Sequence, residues 1–162
     1  MASLAYAEAL SAAVRIEENG AAFYRRAAAE AIDPGAAETF STLAKWEDEH
    51  RGYFRALAMA QEQRESIFRT DPKGEFAARV RDMADAGVYD LTRDVSAFFG
   101  GRRTQREAIK FAIGIEKDSV IFYLGLQEVM AEGEEALKVG GIIKEEMRHI
   151  SILSALLKRL KD

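Results

Sequence analysis

Apolar residues divide the chain into four long helical stretches with one region between the second and the third. From Leu10 through Val14, Ala21, Tyr24 and Ala28 they recur at steps of three, four and seven, the period of one buried helical face. Ser3 is placed to cap this helix, and the pattern ends it near Ile32. Asp33-Pro34 then supplies an N-cap and a first-turn proline for a second helix. Its inner face carries Leu43, Phe54 and Leu57, and it runs to about Ser66. A loop this short makes the two helices antiparallel neighbours. Thr104-Gln105-Arg106-Glu107 forms a capping-box pattern that opens a third helix, extending to about Ala131. Glu132-Gly133 breaks it, and a fourth helix continues to about Leu160.

The chain thus divides into a hairpin over residues 3–66, a connection over 67–103 and a second hairpin over 104–160. Inside the connection, Asp71-Pro72 precedes Phe76, Val80 and Met83, closed by Gly87; Leu91, Val95, Phe98 and Phe99 precede Gly100-Gly101. These predict short helices packed against a bundle, because a structureless crossover of this length is uncommon in a compact domain. The expected architecture over residues 1–162 is a single all-α domain: a four-helix bundle with one long crossover connection carrying short extra helices. Composition agrees. There are 28 Ala and only 2 Pro, and 162 residues at 48% hydrophobic suffice for one core.

Charge and cysteine content narrow the function. A net charge of -4 argues against a nucleic-acid binder, and the Arg102-Arg103 pair reads as a solvated loop. No stretch approaches ~18 consecutive apolar residues and the N-terminus lacks a basic start, so neither a membrane span nor a signal peptide is expected and the expected location is cytoplasmic. With 0 Cys, thiol catalysis, disulfides, zinc ribbons and cysteine-ligated clusters are excluded. Metal or redox chemistry must therefore use carboxylates and at most 2 His.

The chain repeats at an offset of 99 residues. AVRIEENGAAFY at 13–24 lies over AIGIEKDSVIFY at 112–123, and LAKWEDEH at 43–50 over IIKEEMRH at 142–149. Each half is a hairpin with a Glu on its first helix and Glu-x-x-His on its second. Glu17 falls within the apolar stripe Leu10, Val14, Ala21, Tyr24, and Glu116 between Ile109, Ala112, Val120 and Tyr123. Glu47 lies one turn from Leu43 and Glu146 one turn from Ile142, each with its His, His50 and His149, three residues on and on the same face. Four Glu and both His point at one core. Burying one unpaired carboxylate costs several kcal/mol or forces protonation, and no Lys or Arg shares these stripes. Two divalent cations would balance four carboxylates, with neutral imidazoles completing the coordination.

A lone inward His is ordinarily a satisfied core residue, and an isolated Glu-x-x-His commonly a surface pair. Against that, with 18 Glu in 162 residues, Glu at all four required positions by chance is roughly a one-in-6,500 event. Mixed carboxylate and imidazole ligation without thiolate suits iron or manganese, and less specifically zinc.

At these residues the chain resembles the rubrerythrin-type members of the ferritin-like superfamily, over essentially its whole length. The resemblance is carried by Glu17 with Phe23-Tyr24, Glu47-x-x-His50, Glu116 with Phe122-Tyr123, and Glu146-x-x-His149. It implies two iron ions per bundle, with Glu47 and Glu146 bridging, Glu17 and His50 on one iron, and Glu116 and His149 on the other. All six would then be catalytic residues of a peroxidase-type oxidoreductase. Rubrerythrins proper also carry a rubredoxin-like segment with two Cys-x-x-Cys pairs; without Cys, this chain would need an external donor such as a rubredoxin-like protein. They often carry extra carboxylates too, for which Glu145 is the nearest candidate, in a supporting or a solvent-facing role. Ile113, one turn before Glu116, cannot contribute.

Around the acids, Tyr24 and Tyr123 lie two turns beyond Glu17 and Glu116, where their hydroxyls could bond carboxylates or pack in the core. Trp46 is expected to pack, and Asn19 and Asp118 are weak outer candidates. Gly140-Gly141 costs about 1 kcal/mol per Gly relative to Ala, which suggests a close helix contact, a kink or a break. Three functions compete: peroxide reduction at a di-iron site, ferroxidase chemistry with oxygen for iron storage or detoxification, and a non-enzymatic bundle stapled by metal. A homodimer, with hairpins exchanged between chains as one form of it, is the expected assembly.

Overall fold

The computed structural model describes residues 2–63, positions 74, 75, 78, 98 and 99, and residues 104–160. Four long helices carry the fold: α1 (Ala2–Glu30), α2 (Pro34–Gln63), α3 (Gln105–Val129) and α4 (Glu134–Arg159). Helix α1 already begins at Ala2, so Ser3 lies inside its first turn instead of ahead of it. The ends expected near Ile32, Ala131 and Leu160 fall close to their places, Ser66, the expected end of α2, lies outside the described residues, and the starts of α2, α3 and α4 have local causes. Asp33 caps α2 by accepting from the Ala36 amide at 2.8 Å, with Pro34 in the first turn, where its missing N–H is harmless. Thr104 and Glu107 close a reciprocal capping box: the Glu107 amide donates to Thr104 Oγ1 at 3.2 Å, and the Thr104 amide to Glu107 Oε2 at 2.7 Å. Gly133 is the N-cap of α4.

Two apolar clusters fill the bundle interior. One contains Leu10, Ala13, Phe54, Leu57, Phe122, Tyr123, Leu126, Val139 and Ile143; the other contains Phe23, Tyr24, Phe40, Leu43, Ile109, Ala112, Leu153 and Leu156. Their order along each helix fixes the direction of the chain. Helices α1 and α4 run from the first cluster to the second, and α2 and α3 from the second to the first. The end of α2 and the start of α3 therefore lie at opposite ends of the bundle, so the connection has to travel its length, about 30 Å for some twenty helical residues. At its far end Phe98 and Phe99 reach the second cluster, with ring centroids 5.7 and 5.3 Å from Phe23 and, for Phe98, 4.6 Å from Phe111. The short helices expected around Phe76, Val80, Met83, Leu91 and Val95, and the glycines after them, lie outside the described residues.

Polar contacts pin the end of the bundle at which the second cluster lies. Gln105 Oε1 accepts from the Ile32 and Asp33 amides at 3.2 and 3.3 Å, and Arg159 reaches Asp33 at 2.8 Å. Within α4, Gly140 and Gly141 leave the helix unbroken. A Cβ at Gly140 would sit 2.5 Å from Gln127 Nε2, which bonds the Ala136 carbonyl at 2.8 Å, so this glycine leaves room for the Gln127 side-chain amide. No helix among the described residues is long and apolar enough to cross a membrane.

Because the capping box satisfies amides at an otherwise open helix start, Thr104→Ala is expected to cost about 1 kcal/mol in chemical denaturation with an unchanged m value. No loss of stability would show that the capping box does not hold the start of α3.

Candidate metal centre

Between the two apolar clusters each helix contributes to one polar layer: Glu17 from α1, Glu47 and His50 from α2, Glu116 from α3, Glu146 and His149 from α4. None is more than 4% exposed. His50 Nδ1 lies 2.9 Å from Glu146 Oε1 and 3.7 Å from Glu17 Oε2. His149 Nδ1 lies 3.1 Å from Glu146 Oε2, 3.3 Å from Glu47 Oε1 and 3.5 Å from Glu116 Oε1. The six form two convergent groups, Glu17, Glu47, His50, Glu146 and Glu47, Glu116, Glu146, His149, whose ligand atoms lie within 4.8 Å of one another. Glu47 and Glu146 belong to both.

These residues fit a pair of metal ions. Oε2 of Glu17, Oε1 of Glu47, both oxygens of Glu146 and Nδ1 of both histidines are buried, yet they face one another without hydrogen bonds. Neighbouring ligands on an ion with bonds of about 2.1 Å and octahedral angles lie about 3 Å apart, close to the spacing of these atoms. Among the described residues no Lys or Arg is buried to offset the carboxylates.

Supporting contacts orient the layer by crossing between the hairpins. The buried Tyr24 hydroxyl of α1 donates to Glu116 of α3, and the Tyr123 hydroxyl of α3 donates to Glu17 of α1. Each tyrosine thus holds the acid of the other half, a partner that spacing along one helix cannot reveal. Glu145, with its side chain 59% exposed, accepts from His50 Nε2 at 2.7 Å, so it is both solvent-facing and supporting. Trp46 does pack, but its partner is His149: the rings lie 5.2 Å apart and within 6° of parallel. Asn19 and Asp118 are half-buried beside the layer, and Ile113 packs into an apolar cluster. Gly20 has a role the apolar pattern hid. A Cβ there would stand 3.2 Å from Glu47 Oε2, so the glycine lets that carboxylate lie against α1.

Without metal, protons carry the balancing charge. Burial, then the carboxylates of Glu116, Glu146 and Glu17, push Glu47 well above the usual carboxylate range. Burial and Glu146 do the same to Glu116. Glu146 goes the other way: burial opposes its ionisation, but Glu116 and the two imidazoles outweigh it and hold the carboxyl below its usual range. Burial likewise works against charging His50, yet Glu146 and Glu17 raise it to about 11. His149 rises to about 9 against its burial through Glu116 and Glu146. Both tyrosines are pushed up, first by burial and then by the carboxylates, and so keep the protons they donate.

An antiparallel pair of helical hairpins with Glu and Glu-x-x-His from each, joined by a crossover along the bundle, defines a ferritin-like four-helix bundle. A family model described as Rubrerythrin matches residues 8–157, and the chain belongs to the rubrerythrin family. The fold is similar to that of a protein from Thermotoga maritima described as a ferritin-like diiron-carboxylate protein, with a TM-score of 0.67, 23% identity and 95% of each chain covered. No curated protein matches the chain.

At four groups the folded, metal-free protein binds more protons than the unfolded chain, so its stability falls as pH rises. The two carboxyls lose their contribution above 4.5, and the imidazoles lose theirs from 6.5 up through about 9 and about 11. The melting temperature of the metal-free protein is therefore expected to drop between pH 6 and pH 9, and saturating divalent metal to flatten the decline. A metal-free melting temperature that rises over this interval would contradict the proton balance of the layer.

Proposed function

We propose that this chain is a non-haem di-iron oxidoreductase that reduces hydrogen peroxide to water with electrons from an external donor. The observation that carries this reading is the pair of four-residue groups sharing Glu47 and Glu146 in a layer no more than 4% exposed. Family membership supports it, as does the structural neighbour's description as a diiron-carboxylate protein. Two ferrous ions, if held by these residues, would supply one electron each, the two that H2O2 requires with two protons to become two waters.

The protein's own part is charge balance, orientation and exclusion. Glu17, Glu47, Glu116 and Glu146 would offset the charge of two divalent ions, and His50 and His149 would each offer Nδ1 to one group. The Tyr24 and Tyr123 hydroxyls hold Glu116 and Glu17 in place from the opposite hairpin. Apolar clusters on both sides of the layer exclude bulky reductants and substrates, which favours a small oxidant. With 0 Cys in the sequence to hold a thiolate-bound iron, electrons are taken from a separate donor such as a rubredoxin-like protein.

Stopped-flow mixing of the anaerobic ferrous protein with peroxide and with oxygen tests the reading. Oxidation by peroxide is expected to be at least tenfold faster. A faster reaction with oxygen, with uptake continuing beyond two irons per chain, would overturn it in favour of iron handling. An inert centre whose removal only lowers the melting temperature would leave a metal-stapled bundle. Glu47→Ala and His149→Ala are each expected to abolish tight binding of the second iron; two tightly held metals in either variant would sink the ligand assignment.

A further inference from the structure

The two halves agree at the ligand positions and differ beside them. Lys45, Glu47 and His50 recur as Lys144, Glu146 and His149, but Trp46 stands where the other half has Glu145, and Glu49 where it has Arg148. Each of these differences falls next to an imidazole. At one end of the layer His50 Nε2 donates to the Glu145 carboxylate at 2.7 Å. At the other, the Trp46 ring lies flat on His149, and the Arg148 guanidinium covers Trp46 at 5.4 Å from the ring centroid. One imidazole is thus backed by an anion and the other by an aromatic face under a cation.

The chemical consequence follows from how an imidazole binds a metal. A carboxylate on the outer N–H fixes the tautomer, aims the ring and makes the inner nitrogen a stronger donor, and its loss typically lowers metal affinity 10–100-fold. An indole face offers no such acceptor, and the nearby guanidinium opposes the arrival of a second cation. Building on the metal-centre reading above, we propose that the two ligand groups are unequal by construction: Glu145, a positioning residue acting through His50, makes Glu17, Glu47, His50 and Glu146 the first and tighter metal position. The group containing Glu116 and His149 fills second. Loading is therefore ordered, and an ion held at the first position completes the second by fixing the shared Glu47 and Glu146.

Zn(II) added to the metal-free protein tests this without any assay of activity. Calorimetry is expected to resolve two binding steps separated by at least tenfold. The sequence has only 2 His, so long-range 1H-15N spectra display each imidazole separately. The His50 ring signals are expected to shift during the first equivalent and those of His149 during the second. Glu145→Ala should weaken the first step 10–100-fold and leave the metal-free melting temperature within a degree or two, since the Glu145 side chain is 59% exposed. Glu145→Gln, whose amide oxygen still accepts from Nε2, should recover part of the loss, and Trp46→Phe, which keeps an aromatic stack, should preserve the order. Equal affinities in the unaltered protein, His149 shifting first, or Glu145→Ala weakening both steps alike would overturn the ordered loading while leaving the metal centre intact. Failure to bind two ions at all would overturn the centre itself.

Discussion

Four carboxylates cannot share a water-free layer unless protons or cations share it with them. Every main feature of this protein is arranged around that constraint. The layer of Glu17, Glu47, Glu116 and Glu146 sits midway along the bundle, where both apolar clusters shield it and every helix contributes to it. In the absence of metal the proton demand falls on Glu47, Glu116 and the two histidines, a state that is costly to keep as pH rises. Divalent ions would remove the demand, since the atoms that require protons in the bare bundle are the ones placed to hold metal.

The hairpins depend on one another for this layer. Glu17, Glu47 and His50 from the first need Glu146 from the second, and Glu116, Glu146 and His149 from the second need Glu47 from the first. The crossed tyrosines reinforce this dependence, since Tyr24 and Tyr123 each hold an acid on the opposite hairpin. Within each hairpin the helices pack closely along their length, while direct backbone approach between hairpins is sparser. Polar contacts through the layer therefore join the halves alongside the two apolar clusters, each of which draws on both hairpins.

Much of this was legible in the sequence because helical periodicity and the 99-residue offset report directly on which residues share a face. Four helices, the Asp33 and Thr104 starts and the convergence of Glu17, Glu47, His50, Glu116, Glu146 and His149 all follow from spacing of that kind. What spacing could not supply were contacts between helices distant in sequence. The partners of Tyr24 and Tyr123, the ring beneath Trp46 and the carboxylate over Gly20 depend on the depth and rotation of packed helices, which periodicity leaves free. Ser3 illustrates a smaller limit: a capping residue type marks a helix start only when nothing ahead of it also winds into the helix.

The repetition of the ligand pattern in the two halves also bears on how such a centre acquires polarity. Two separate copies of one hairpin, paired about a symmetry axis, must present the same residue at both equivalent positions. Trp46 and Glu145 could not coexist in such a pair, and neither could Glu49 and Arg148. Joining the hairpins in a single polypeptide frees each imidazole to take a neighbour of its own, and the long connection between α2 and α3 is the covalent device that makes the difference heritable.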